Sequence, residues 1–426
     1  MEYAKEAVQN RQGRSWVKER LFLGLTMGDY AKGLVTPFNL VAGAIVIVGL
    51  VFLILRFAQG LGVVTSASQD QPWGLFLAWG LFSGVPLSAT GFVLGTAVYV
   101  FGLKQYHPVV KNAVLVGFLG YLFAVIFLLV DLGRPWRLPY PMVVSFGTAS
   151  VLFLVAWHVF LYLSCQFLEF FPAISEWGGW RTLRKWTVHI TVLLIIFGAI
   201  LSTLHQSALG GLYLLAPGKL HPLWYSQYLP WLFLISAVAS GLCMVIVVSF
   251  FTKLFLKKQA DAAYLKSLDK ITPGLGTGAA FVLFTYLGLK VIALAQGNSW
   301  NLLNTPYGYW FLVEVVGFVL LPALLLGYAS RSKKIGMVQA TAALALVGVI
   351  INRLNVSLIA INWRLQEREL FNWKEFLIVL SIVTIEVLLY RWIVRRMPVL
   401  RQHPEFKTEE EWERPSEITD FSAPRL

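Results

Sequence analysis

Charge is scarce in this sequence. Asp, Glu, Lys and Arg make up 13% of its 426 residues, against about 25% in a typical soluble domain. That shortage excludes a water-soluble globular chain of this length. Cysteine is scarcer still: Cys165 and Cys243 stand alone, each inside an apolar run. An iron–sulfur cluster commonly takes four cysteine ligands, so the chain holds none of that kind by itself, and both residues read as small core side chains. No short apolar leader core is visible in the first 35 residues, which are polar and basic. Strict alternation of apolar and polar residues is also missing, which argues against a membrane barrel. The net charge of +13 is no nucleic-acid signal, because its placement in loops accounts for it.

What the sequence has instead is a series of continuous apolar runs, 57% of all residues being hydrophobic. Runs of about 20 apolar residues cross a hydrocarbon core about 30 Å thick. Ten such spans are expected, at 36–58, 73–102, 109–131, 141–169, 186–206, 228–252, 274–296, 306–328, 337–362 and 375–396. The fold class is therefore an all-α polytopic membrane protein. Counted over loops and adjoining helix ends, 26 Lys and Arg residues fall on the side of the N-terminus and 6 on the other. This asymmetry predicts both termini in the cytoplasm. Residues 1–35 form an N-terminal segment, with Ser15 to Met27 amphipathic enough to lie at the interface. Residues 36–396 form the membrane domain, and 397–426 a polar cytoplasmic tail with an acidic "EEEWE" at 409–413. A Ser-Gly pair recurs mid-span in "AWGLFSGVPLSATGFVL" (78–94) and "LFLISAVASGLCMVIVV" (232–248). It suggests two four-helix bundles, about 73–206 and about 228–362, flanked by the first and last spans.

Ionisable residues at membrane depth are costly and mark function. Asp131, Arg134 and Arg137 close the third span on the outer side, and His205 and Gln206 close the fifth there too. The fourth span is expected to start beside them with Ser145 and Thr148. Acid, base, hydroxyl and aromatic groups thus share one depth. On the inner side, His158, Tyr162 and Glu169 fall on one face of the fourth span. That face either carries protons between the cytoplasm and the outer site or pairs locally, Glu169 with Arg181 or Arg184. Lys290, Glu314 and Arg353 sit in the outer halves of their spans and predict a structural ion-pair network, with Asn352 and Asn355 alongside. Glu386 is mid-span with no partner evident in sequence.

Two stretches, "DLGRPWR" (131–137) and "LHQSALGGLYLLAPGKLHPLWY" (204–225), resemble the polysulfide-reductase membrane-subunit (NrfD-like) family. The second is most similar to the branch holding HybB of hydrogenase 2 and QrcD, the integral membrane subunit of menaquinone reductase. The resemblance spans roughly residues 30–395. It implies a quinone-reactive subunit of a respiratory redox complex in the bacterial inner membrane, with menaquinone as bound substrate and no haem or cluster of its own. It also implies a periplasmic iron–sulfur subunit on the outer face, joined by a catalytic subunit, multihaem cytochrome or hydrogenase. Quinone chemistry moves two electrons and two protons, so the headgroup needs hydrogen-bond donors and proton carriers. Asp131 and His205 are the candidates, with Arg134 orienting Asp131 or steadying developing negative charge. Two other functions compete. A haem b would take His158 and His189 as ligands between the fourth and fifth spans. A secondary transporter would use the repeat, although Pro86 has no counterpart near Gly241.

Overall fold

The computed structural model describes residues 16–69, 71–365 and 369–401; the acidic run at 409–413 lies outside them. Among the described residues, ten helices are long and apolar enough to span a membrane: α1 (Pro37–Gln59), α2 (Phe76–Val100), α3 (Lys104–Asp131), α4 (Val151–Gly178), α5 (Arg181–Leu215), α6 (Leu229–Phe255), α7 (Ala262–Gln296), α8 (Pro306–Arg331), α9 (Ile335–Ile359) and α10 (Trp373–Arg396). Their starts carry ordinary capping chemistry. Thr36 caps α1 ahead of Pro37, Thr305 caps α8 ahead of Pro306, and Asn372 caps α10. Ten crossings bring both ends of the described chain to one face, here called the terminal face. There the Arg396 guanidinium donates to the Leu21 carbonyl and the Tyr30 hydroxyl, each at 2.7 Å, and Asp261 N–H donates to the Leu400 carbonyl at 3.1 Å.

One boundary differs enough to change the chemistry. The fourth span begins at Val151, ten residues later than hydropathy suggested, and runs to Gly178. The apolar stretch after Asp131 is broken by Pro135, Pro139 and Pro141 into short turns. Ser150 then accepts from Phe153 N–H and starts the helix. Every residue of α4 is thereby moved toward the far face.

Helices α2–α5 pack in sequence, α4 against α5 most extensively, and α6–α9 pack likewise, with α9 returning to α6. The two units meet where α6 lies on α2 and α5, and where α9 lies on the start of α2. At that seam Gly241 is needed for close approach: a Cβ there would stand 2.9 Å from the Ala89 carbonyl oxygen. Helix α2 is the innermost element, 72% of its apolar window being buried by protein, whereas α1 buries 11% and faces lipid. α2 is also irregular. It is π-helical over Phe76–Ser83, α-helical to Leu87, interrupted at Ser88–Ala89, and resumes at Thr90. Pro86 removes one backbone donor here, and such irregularity is tolerated at depth only inside protein.

Helix α10 pairs with α1, and both lean on the first unit through α3. Glu375 fixes this contact. Its carboxylate accepts from Phe76 N–H at 2.8 Å and from the Thr65 hydroxyl at 3.2 Å, so α10 supplies the N-terminal cap of α2. Replacing Glu375 with Ala strands those donors, at about 1–3 kcal/mol for a buried unsatisfied group. A lowered aggregation midpoint in detergent, with span number unchanged, is the expected result.

Candidate functional site

The first unit encloses a cluster of polar rings. Tyr121 on α3, Tyr162 on α4 and His205 on α5 are fully or nearly fully buried. The Tyr121 and Tyr162 rings meet edge to face at 4.6 Å between centroids, and each lies 5.3 Å from the His205 ring. His205 Nδ1 donates to the Leu201 carbonyl at 2.8 Å. That fixes the tautomer, so Nε2 accepts from the Tyr121 hydroxyl at 2.5 Å. Gln206 donates to the same hydroxyl at 3.2 Å and to the Val85 carbonyl in the irregular stretch of α2 at 3.3 Å. Gln166 donates to the Tyr162 hydroxyl at 2.6 Å. Toward the terminal face, Glu169 lies against Gly198, where a Cβ would stand 3.1 Å from Oε1 and 3.4 Å from the Tyr162 ring. His158, one turn before Tyr162, lies within electrostatic reach of His205. Its Nδ1 is buried without a hydrogen-bond partner, as are Gln166 Oε1 and Gln206 Oε1.

The sequence-level candidates divide. His205, Gln206, Tyr162, Glu169 and His158 come together. His158 stands seven residues inside the far-face end of α4 rather than near the terminal face, because α4 starts late. Asp131 does not join them. The cluster is level with Tyr121, ten residues before Asp131 on one helix, or about 15 Å along its axis. Asp131 faces Arg56 of α1 instead. Arg56 is buried and donates to the carbonyls of Val130 and Leu132, capping the end of α3. Arg134 and Ser145 are exposed in the α3–α4 connection. The pairing of Glu169 with Arg184 is also absent. Arg184 binds Glu176 at 2.8 Å, and Lys111 joins that carboxylate at 3.3 Å. The haem pair fails on distance. His189 is exposed and bonded to the Lys185 carbonyl, and it is sixteen residues, about 24 Å, along α5 from the His205 level that His158 shares.

Sequence reasoning missed Tyr121 and Gln166. Gln166 repeats the four-residue spacing of His158 and Tyr162 and was findable. Tyr121 looks like any aromatic of an apolar run.

The second unit holds a different network. The Glu314 carboxylate accepts from Trp224 Nε1 at 2.7 Å, Asn352 Nδ2 at 2.7 Å and Asn355 Nδ2 at 2.5 Å, with Lys290 Nζ at 3.6 Å. Arg353 joins through Asn352 Oδ1 at 3.0 Å, donates to Ser236 at 2.7 Å and lies over the Phe233 ring. On the far face, His221 stacks on Tyr307 at 4.6 Å and meets Trp363 edge on at 4.7 Å. Burial there pushes His221 down to about 4. Groups of three or more His, Cys, Asp or Glu placed to hold a metal do not occur among the described residues.

Residues 63–362 match the family model described as polysulphide reductase, NrfD. The chain belongs to the NrfD family. The matched range takes in α2–α9 and leaves α1 and α10 outside. Among relatives of this NrfD-family chain, a Nitratidesulfovibrio vulgaris protein is 45% identical over 88% of this chain and 97% of its own length. The probable Ni/Fe-hydrogenase 2 b-type cytochrome subunit of Escherichia coli is 30% identical over 85% of this chain and 92% of its own. The menaquinone reductase integral membrane subunit of Nitratidesulfovibrio vulgaris is 28% identical over 82% and 88%. The NrfD family and ten spanning helices make this a multi-pass membrane protein.

Two outcomes follow for the second unit. Glu314→Ala leaves two buried cations without their carboxylate and should cost about 3–5 kcal/mol, read as a loss of folded protein after solubilisation. His221 is held neutral in the fold, so its contribution is present above about 6.5 and is lost as pH falls toward 4. His221→Asn should flatten that acid limb of the stability curve.

Proposed function

We propose that this NrfD-family subunit exchanges electrons between an iron–sulfur partner and membrane menaquinone, and that the quinone headgroup meets the ring cluster of the first unit. The observation that carries this reading is the buried ring cluster of Tyr121, Tyr162 and His205, with Tyr121 hydrogen-bonded to His205 and unpartnered polar atoms of His158, Gln166 and Gln206 beside it. A quinone carbonyl takes a hydrogen-bond donor and a quinol hydroxyl takes an acceptor. His158 Nδ1 and Gln206 Oε1 are buried without partners in the same place; the imidazole nitrogen can donate to a carbonyl and the amide oxygen can accept from a hydroxyl, so these groups fit. Bound menaquinone supplies the two-electron chemistry. The chain's residues supply proton positions. His205, with Nδ1 committed to Leu201, exchanges a proton at Nε2 with the Tyr121 hydroxyl. Tyr162, Gln166 and Glu169 extend the polar line toward the terminal face. Asp131, Arg134 and Ser145 stand outside the headgroup contacts in this reading.

In this reading the protein sits in a bacterial inner membrane with its terminal face toward the cytoplasm, a direction that the Lys and Arg asymmetry supports. The far face then meets the periplasmic iron–sulfur subunit, and through it a catalytic subunit, multihaem cytochrome or hydrogenase. The relatives named for hydrogenase 2 and menaquinone reductase support partners of this kind.

His205→Ala and Tyr121→Phe should each lower quinone-linked turnover at least about tenfold, the scale of one lost acid–base group, with the complex still assembled. Full turnover in both variants would refute the site. Reporter fusions after residue 69 should read periplasmic and after residue 333 cytoplasmic; the reverse pattern inverts the assignment of faces.

A further inference from the structure

Glu386 is a carboxylate midway along α10 that nothing above uses. It is half-buried and makes no hydrogen bond or ion pair among the described residues. One turn nearer the terminal face on the same side of the helix is Tyr390. The Tyr390 hydroxyl donates to Asn112 Oδ1 of α3 at 2.8 Å, and Asn112 Nδ2 donates to the Tyr264 hydroxyl of α7 at 3.3 Å. Thr252 of α6 lies beside Tyr390, its hydroxyl buried. Four helices thus bring polar groups to one junction. Asn112 also lines a cavity of about 10 Å³ with Thr90, Val116 and Ser249. That is close to the room one water needs, and three of these side chains offer it polar partners.

The direct way to the ring cluster is shut. Between Glu169 and the terminal face lie buried Phe170 and Ala173, then Glu176 locked by Arg184 and Lys111. The junction offers a way around that plug. Thr90, on the cavity wall, begins the second half of α2 immediately after its interruption. At the next residue, Gly91, a Cβ would stand 2.6 Å from Gln166 Nε2. One step of backbone therefore separates the cavity from the amide bonded to Tyr162.

We propose that protons for the ring cluster come from the terminal face through the junction of α3, α6, α7 and α10. Glu386 is the group that holds the proton, and a water in the cavity takes it up and passes a proton to the Thr90 hydroxyl, which releases its own in turn, beside the interruption of α2. The proposal rests on the quinone reading above. Glu386 gives its proton to water and recovers one from the terminal-face side. Only O–H bonds form and break, and no electron moves.

The test uses sealed membrane vesicles carrying the intact complex, driven with a water-soluble naphthoquinol or naphthoquinone and read by turnover and a voltage-sensitive dye. Glu386→Gln should lower both signals at least about tenfold at saturating quinone, with KM unchanged, and Glu386→Asp should restore part of each. Absence of quinone-linked turnover in the unmodified complex would sink the quinone reading itself. Normal turnover and potential in Glu386→Gln would overturn the intake route alone. Should that variant not accumulate, a hydrophobic carbodiimide can be applied to the unmodified complex and its attachment followed by mass spectrometry. Activity is expected to fall in step with modification of Glu386, and full activity at complete modification would overturn the proposal.

Discussion

Bulk water does not reach the middle of a bundle of ten helices, so polar side chains there must be answered by other protein groups or by a confined water. The rest of the architecture depends on how that demand is met. The second unit meets it at Glu314, with three N–H donors and a lysine on one carboxylate, although Arg353 Nε nearby is left without a partner. The first unit meets it incompletely. Its ring cluster bonds Tyr121, His205 and Gln206 to one another but leaves His158 Nδ1 and two amide oxygens open. A carboxylate answered on all sides suits a clamp, whereas several open valences in one place suit the binding of a polar headgroup.

Sequence patterns make the ten spans legible, because each crossing demands its own long apolar run and no soluble element imitates ten of them. The fourth span shows the limit. Residues 141–150 are apolar enough to read as helix, yet Pro139, Pro141 and the Gly147–Ser150 stretch divert the backbone, and hydropathy is blind to that. The ten-residue error then moved His158, Tyr162 and Glu169 to the wrong depth.

The site was legible where a residue is costly in hydrocarbon wherever its partner lies. His205 and Glu314 stood out for that reason. It was illegible where the partner is backbone. Arg56 answers the carbonyls of Val130 and Leu132, and Glu375 answers the N–H of Phe76, and main-chain groups leave no mark in a sequence. The cation beside Asp131 was illegible for the complementary reason. Arg134 is close in sequence, but Arg56, 75 positions upstream, is the cation Asp131 faces.

The latch between the loop that enters α6 and the end of α9 has a bearing on biogenesis. Leu220 pairs with Ile361 in an antiparallel bridge, flanked by His221 N–H to the Ala360 carbonyl and Asn362 N–H to the Lys219 carbonyl. It closes a loop of roughly 140 residues, and closure of so long a loop is unfavourable until the helices between are already packed. The latch can therefore close only after α9 has been made. It marks a second unit whose four helices have all been inserted and threaded, and a ribosome stalled after α8 would release a chain with Leu220 still unpaired.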